Sequence, residues 1–182
     1  MVKMRLLLLS DNRFSITTSL AIYLISFVFG CLLSLAIKTP KSAVPNVFGY
    51  NDLTAVSFIK HNLIAASPIL LGFITFGLFT LFLLFINGLF FGAALMASLE
   101  NNSLYQVTLL VLPHDIFEIP AIILAGTAGF KSLEVLLRYL KGGSFIERRD
   151  VKDFFKLVFA SFILIIIAGV IEANITPIFL PR

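Results

Sequence analysis

PHDIFEIPAIILAG, residues 113–126, sets one histidine, two carboxylates and two prolines within its first eight positions and then runs on as an apolar helix. How this stretch is read decides the fold. In a water-soluble chain it would be a polar loop, but here it lies inside Leu104–Phe130, a run otherwise long and apolar enough to cross a bilayer. Pro113 and Pro120 each remove a backbone donor and disfavour helix just before them, so the spacing predicts a crossing split into two half-helices. Ala121, Ala125 and Gly129 then recur every four residues as a stripe suited to close helix packing.

Working outward, the remaining segments have the same character. Of the 182 residues, 59% are hydrophobic and 13% charged, and the mean hydropathy is +1.02, which places the chain among polytopic membrane proteins rather than soluble domains. The apolar runs are continuous and do not alternate, so the spans are α-helices and not barrel strands. The expected fold class is all-α: about five transmembrane helices, one of them broken by proline, plus an interfacial amphipathic helix, within a single domain covering residues 1–182.

Phe14–Ile37 is the first span. It contains the single cysteine, Cys31, which excludes an intrachain disulfide and packs as a small hydrophobe. The apolar stretch ahead of it is interrupted at Asp11, Asn12 and Arg13, too early for a signal peptide. Lys38–Tyr50, punctuated by prolines, reads as a loop, and a helix is expected to restart at a cap on Asn51 or Asp52. From Asn62 to Leu99 the chain is apolar for about 38 residues, too long for one crossing at ~1.5 Å per residue. The break is expected at Asn87-Gly88, giving a span Leu63–Ile86 and a shorter helix Gly88–Leu99. Gly88 and Gly92 form GxxxG, and the two glycine stripes together suggest a homo-oligomer. A turn follows at Glu100–Ser103.

Residues 131–153 differ from the rest. Lys131, Glu134, Arg138 and Lys141 repeat at helical spacing opposite Leu133, Leu136, Leu137 and Leu140, predicting a helix in the membrane interface closed by Gly142-Gly143. Ser144 and Glu147 make a capping-box pattern for the last helix, which ends near Thr176-Pro177. Lys131–Lys156 holds seven of the 14 Lys and Arg, which puts this segment and the N-terminus in the cytoplasm and, after five crossings, the C-terminus outside. Anionic membrane lipids account for the net charge of +4 without nucleic acid. No zinc-ligand spacing, phosphate-binding loop or nucleophile elbow is present, so neither a cofactor nor catalytic residues are expected.

The candidate site is intramembrane. Nine helical residues carry the chain roughly 13 Å inward from Leu104, so His114, Asp115 and Glu118 fall near mid-bilayer, where ionisable groups face protein or a wet cavity. His114 and Glu118 share a helical face. Asn62, Asn87 and Glu172 could join them in a polar column. One reading is a binding site for a cation or proton; another is a buried network that only fixes helix positions. Three plausible ligands, His114, Asp115 and Glu118, also leave room for a metal, and an intramembrane metalloprotease lacks the second histidine such a site needs on its helix.

His61-Asn62, NGLFFG at 87–92, PHDIFEIPAIILAGTAG at 113–129 and IEANITP at 171–177 together resemble the stage II sporulation protein M family, over roughly His61 to Pro177. Asp115 departs from the glycine usual after the histidine. The resemblance implies a multi-pass membrane fold. It also implies a non-enzymatic scaffold with protein partners at the membrane, since family members in spore-forming bacteria recruit peptidoglycan hydrolases during engulfment. A transporter or channel for a small cation or proton is the alternative.

The charge asymmetry makes a direct prediction. A cysteine introduced at Ser144 in a Cys31→Ala background should react with an impermeant thiol reagent only from the cytoplasmic side; labelling of intact cells would reverse the topology.

Overall fold

The computed structural model describes residues 12–37 and 54–179, which form six α-helices and two short 3-10 turns. The helices are α1 (Arg13–Ile37), α2 (Ala55–Ala66), α3 (Leu78–Asn101), α4 (Leu104–Gly129), α5 (Lys131–Leu140) and α6 (Arg148–Asn174). A 3-10 segment Ser67–Phe73 prolongs α2, and another covers Thr176–Phe179. No strand occurs among the described residues, and five stretches are long and apolar enough to cross a membrane. The loop expected at Lys38–Tyr50 and the caps at Asn51 and Asp52 lie outside the described residues; the cap of α2 is Thr54, whose hydroxyl accepts from the Ser57 N–H at 3.3 Å.

Two expected breaks are not where the sequence suggested. The chain reverses between Phe73 and Leu78, not at Asn87-Gly88. The Gly77 N–H bonds to the Gly72 carbonyl at 2.7 Å, the bond of a Schellman motif, while Phe76 takes the left-handed position (φ 49°) and Gly77 follows with φ 85°. Only glycine fits at position 77, where a Cβ would stand 2.5 Å from the Phe130 ring. Asn87 does not end a helix because its amide donates back to the Leu83 carbonyl at 2.8 Å, within the same helix. The second correction is α4, which runs unbroken through Pro113 and Pro120. Each proline leaves one carbonyl without its helical donor, whereas ending a helix strands up to four donors and four acceptors. Inside a bilayer, with no water to satisfy those groups, continuing is the cheaper course.

The packing inverts the pattern of a soluble bundle. α1 buries Ser15, Ser19, Tyr23, Ser26, Gly30 and Ser34 and turns Leu24, Ile25, Val28 and Leu32 outward, Ile25 being 68% exposed. Its small face lies against α3 in parallel: a Cβ on Gly88 would meet the Ser26 hydroxyl and the Tyr23 carbonyl, one on Gly92 would stand 2.1 Å from the Phe27 carbonyl oxygen, and one on Gly30 would stand 2.1 Å from that of Leu89. The GxxxG motif is therefore used within the chain, and so is the α4 stripe. Ala121, Ala125 and Gly129 are buried, with the Ser161 hydroxyl of α6 donating to the Ala121 carbonyl at 2.8 Å and Thr80 of α3 filling the space beside Gly129. The expectation of a homo-oligomer thereby loses the contacts that suggested it.

α4 is the central helix, with α6 antiparallel to it and α2 packed on α6 where Gly169 meets Ile59. The core at its second half joins Ile69, Leu84, Ala121, Ile122, Ala125, Phe130 and Ile165.

α5 follows α4 after Phe130 and closes as expected, with Gly142 at φ 86° and the Gly143 N–H bonded to the Arg138 carbonyl at 3.1 Å. Its charged stripe, however, faces the bundle more than water. Lys131 is only 2% exposed and donates to Asn12 Oδ1 at 2.6 Å, while Glu134 accepts from Ser15 at 2.6 Å, so α5 is tied to the start of α1. Arg138 grips Asp150 through its two terminal guanidinium nitrogens, which positions the start of α6. The last helix opens at Glu147 with a Glu147–Asp150 capping box; Ser144 does bond Glu147, but one turn ahead of the helix.

The α1–α3 contact predicts that Gly92→Leu destabilises the protein by at least about 1–3 kcal/mol, since neither backbone can retreat. Leu24→Ala, on the lipid-facing side, should stay within about 0.5 kcal/mol of the parent. Thermal melts in detergent would read both, and equal melting temperatures for the parent and the Gly92 variant would place that glycine outside any tight contact.

Candidate functional site

Three helices meet at HDxxE. His114, Asp115 and Glu118 lie on α4, about midway along it, and offer ligand atoms within 4.8 Å of one another. His114 Nε2 stands 3.5 Å from Asp115 Oδ1, and the two side chains are 12% and 10% exposed. The other ring nitrogen, Nδ1, is hydrogen-bonded to the hydroxyl of Thr176 at 3.4 Å, beyond the end of α6. From α2, the Asn62 amide donates to Glu118 Oε2 at 3.3 Å. Asn62 is buried and Thr176 fully so, and both partners are therefore held away from water.

Further groups surround this core. Glu172, one turn before Thr176 on α6, is close enough to interact electrostatically with Asp115 and Glu118. Tyr23 of α1, 3% exposed, feels both of those carboxylates as well. Asp115 Oδ2 is buried and has no hydrogen-bond partner among the described residues. Asp115 also lines a cavity of about 260 Å³ between α3 and α4, whose other walls include Phe91, Leu95, Val107, Val111 and Ile119. An acidic group with an orphaned oxygen at the edge of a greasy cavity is the most demanding feature of the site.

Of the six residues marked in the sequence, the structure brings together Asn62, His114, Asp115 and Glu118 and sets Glu172 beside them. Asn87 does not join, because its amide is spent on its own helix, and the polar column therefore lacks the member expected toward the basic end of the bundle. Tyr23 was missed. A tyrosine in mid-span is unusual, because its ring favours the membrane interface, and Ser19 and Ser26 flank it at helical spacing; together they could have marked the polar face of α1.

Such a fold, five spanning stretches around a central helix with buried carboxylates, defines a multi-pass α-helical membrane protein. Residues 19–177 match the stage II sporulation protein M family, and the chain belongs to that family. It is also 36% identical over 173 residues to the uncharacterized protein MJ0793 of Methanocaldococcus jannaschii, covering 91% of this chain and 95% of that protein. A second uncharacterized protein of the same organism, MJ0706, is 36% identical over 104 residues, which is 55% of this chain and 47% of the other. No solved structure matches.

Proposed function

We propose that the protein is a non-enzymatic membrane scaffold, an assembly protein whose helical frame is organised around a polar site at HDxxE. The observation that carries this reading is the convergence of α2, α4 and the end of α6 through the Asn62–Glu118 and His114–Thr176 hydrogen bonds. Side chains from separate helices meet there to hold one arrangement, and the column that conduction would need does not continue to Asn87. The docking surface is α5 with the loop after it, in the cytoplasm, where Tyr139, Leu140, Phe145 and Ile146 stand exposed among basic residues to meet lipid headgroups and protein partners.

One observation favours the second reading, passage of a small cation or proton. Asp115 combines an unpartnered oxygen with a place on a cavity wall, as a group that exchanges a bound ion would.

Glu118→Gln separates a functional site from packing. The amide keeps the shape, accepts the same hydrogen bond from Asn62 and removes the charge, so the variant should fold and melt as the parent does. It should nevertheless fail to complement a host that lacks its own copy of the gene. Full complementation by Glu118→Gln and by His114→Gln alike would reduce HDxxE to a packing element. A cation or proton flux into proteoliposomes that disappears in Glu118→Gln would replace the scaffold with the transporter.

A further inference from the structure

We infer that His114, Asp115 and Glu118 form a binding site for one divalent transition-metal ion of the zinc and cobalt class, an inference that rests on the reading of HDxxE as a functional site and names its ligand. An imidazole with two carboxylates is the donor set of borderline divalent ions. The 3.5 Å between His114 Nε2 and Asp115 Oδ1 is close to the ~3.3 Å that separates two ligands bonded at about 2.0–2.1 Å to a tetrahedral ion. Glu118 stands one turn from His114 on the same face, and the three ligand atoms lie within 4.8 Å, so small side-chain rotations close the set.

The groups behind the ligands fit the same use. With Nε2 on the metal, Nδ1 carries the proton and donates to the buried Thr176 hydroxyl, which fixes the ring. The Asn62 amide orients the Glu118 carboxylate in the same way. Independently, Asp115, 7% exposed, holds an oxygen that no group among the described residues partners, although its neighbours in the site are paired across helices or within α4.

Charge points the same way. Among the described residues the ion-pair partner of Asp115 is His114, and Glu118 accepts from a neutral amide, so no lysine or arginine there offsets these two carboxylates. A divalent ion would cancel both at once, and Glu172 deepens the negative potential that draws it in.

The test uses the full chain purified in detergent, stripped with a chelator and titrated with Co²⁺, whose visible absorption reports nitrogen and oxygen ligation. Wild type should bind about one equivalent, displaced by Zn²⁺. His114→Ala and Asp115→Asn should each abolish the spectrum with helical circular dichroism retained; Asp115→Asn guards against a folding defect because it is isosteric. Asn62→Ala should weaken binding by about 10–100-fold. A wild-type protein without a saturable Co²⁺ spectrum, or the same affinity in Asp115→Asn and His114→Ala, would overturn the metal site. If Co²⁺ does not bind while Glu118→Gln still fails to complement, the metal inference falls and the functional polar site stands. Binding together with full complementation by Glu118→Gln and by His114→Gln alike would support the metal site and sink the functional reading.

Discussion

A helix inside a bilayer gains nothing by hiding leucine from its surroundings, since lipid is as apolar as any core, and the whole arrangement of this protein depends on that constraint. Association has to come from close backbone approach and from polar groups that find partners only in protein. The parallel contact of α1 with α3 meets the first need: Gly30, Gly88 and Gly92 bring two backbones so near that no Cβ would fit. Serines fill the rest of the α1 seam, two of them turning their hydroxyls back onto their own helix, Ser19 onto Ser15 and Ser26 onto Tyr23. The large aliphatic side chains are left for the lipid.

From that contact the site follows. Tyr23 sits on the same seam, and holding α1 against α3 is what brings it within electrostatic reach of the carboxylates of α4. The other side of α4 is occupied by α6, whose antiparallel course is registered by Ser161 on the Ala121 carbonyl and by Thr176 on His114. α2, packed on α6, then delivers Asn62 to Glu118. Each polar contact at HDxxE thus comes from a helix positioned by small-residue packing elsewhere. The second polar cluster, at the other end of α4, serves to hold helices together, with Lys131 and Glu134 locking α5 to Asn12 and Ser15, and Arg138 locking it to Asp150. Those pairs include a cation for every carboxylate, whereas at HDxxE the basic partner among the described residues is an imidazole.

Composition and continuous apolar runs were sufficient, by themselves, to establish an all-α membrane protein with five crossings, because a bilayer admits few ways of satisfying a backbone and each requires about 20 apolar residues. The close-packing role of Gly88, Gly92, Ala121, Ala125 and Gly129 was legible for a similar reason: their spacing has only one use inside a membrane. So was the closure of α5 at Gly142, and so was the shared helical face of His114 and Glu118. Where the chain breaks was not legible. Local rules treat Asn-Gly and mid-helix proline as stops, yet Asn87 satisfied its own helix, α4 absorbed both prolines, and the reversal fell at Phe76-Gly77. Only the tertiary structure decided which helix each glycine meets, that Asn62 and Thr176 reach the site while Asn87 does not, and that Asp115 is left with an unpartnered oxygen. Periodicity states which face of a helix is small or polar, but the partner of that face lies tens of residues away in the chain, and the choice among partners is made by packing all the helices together.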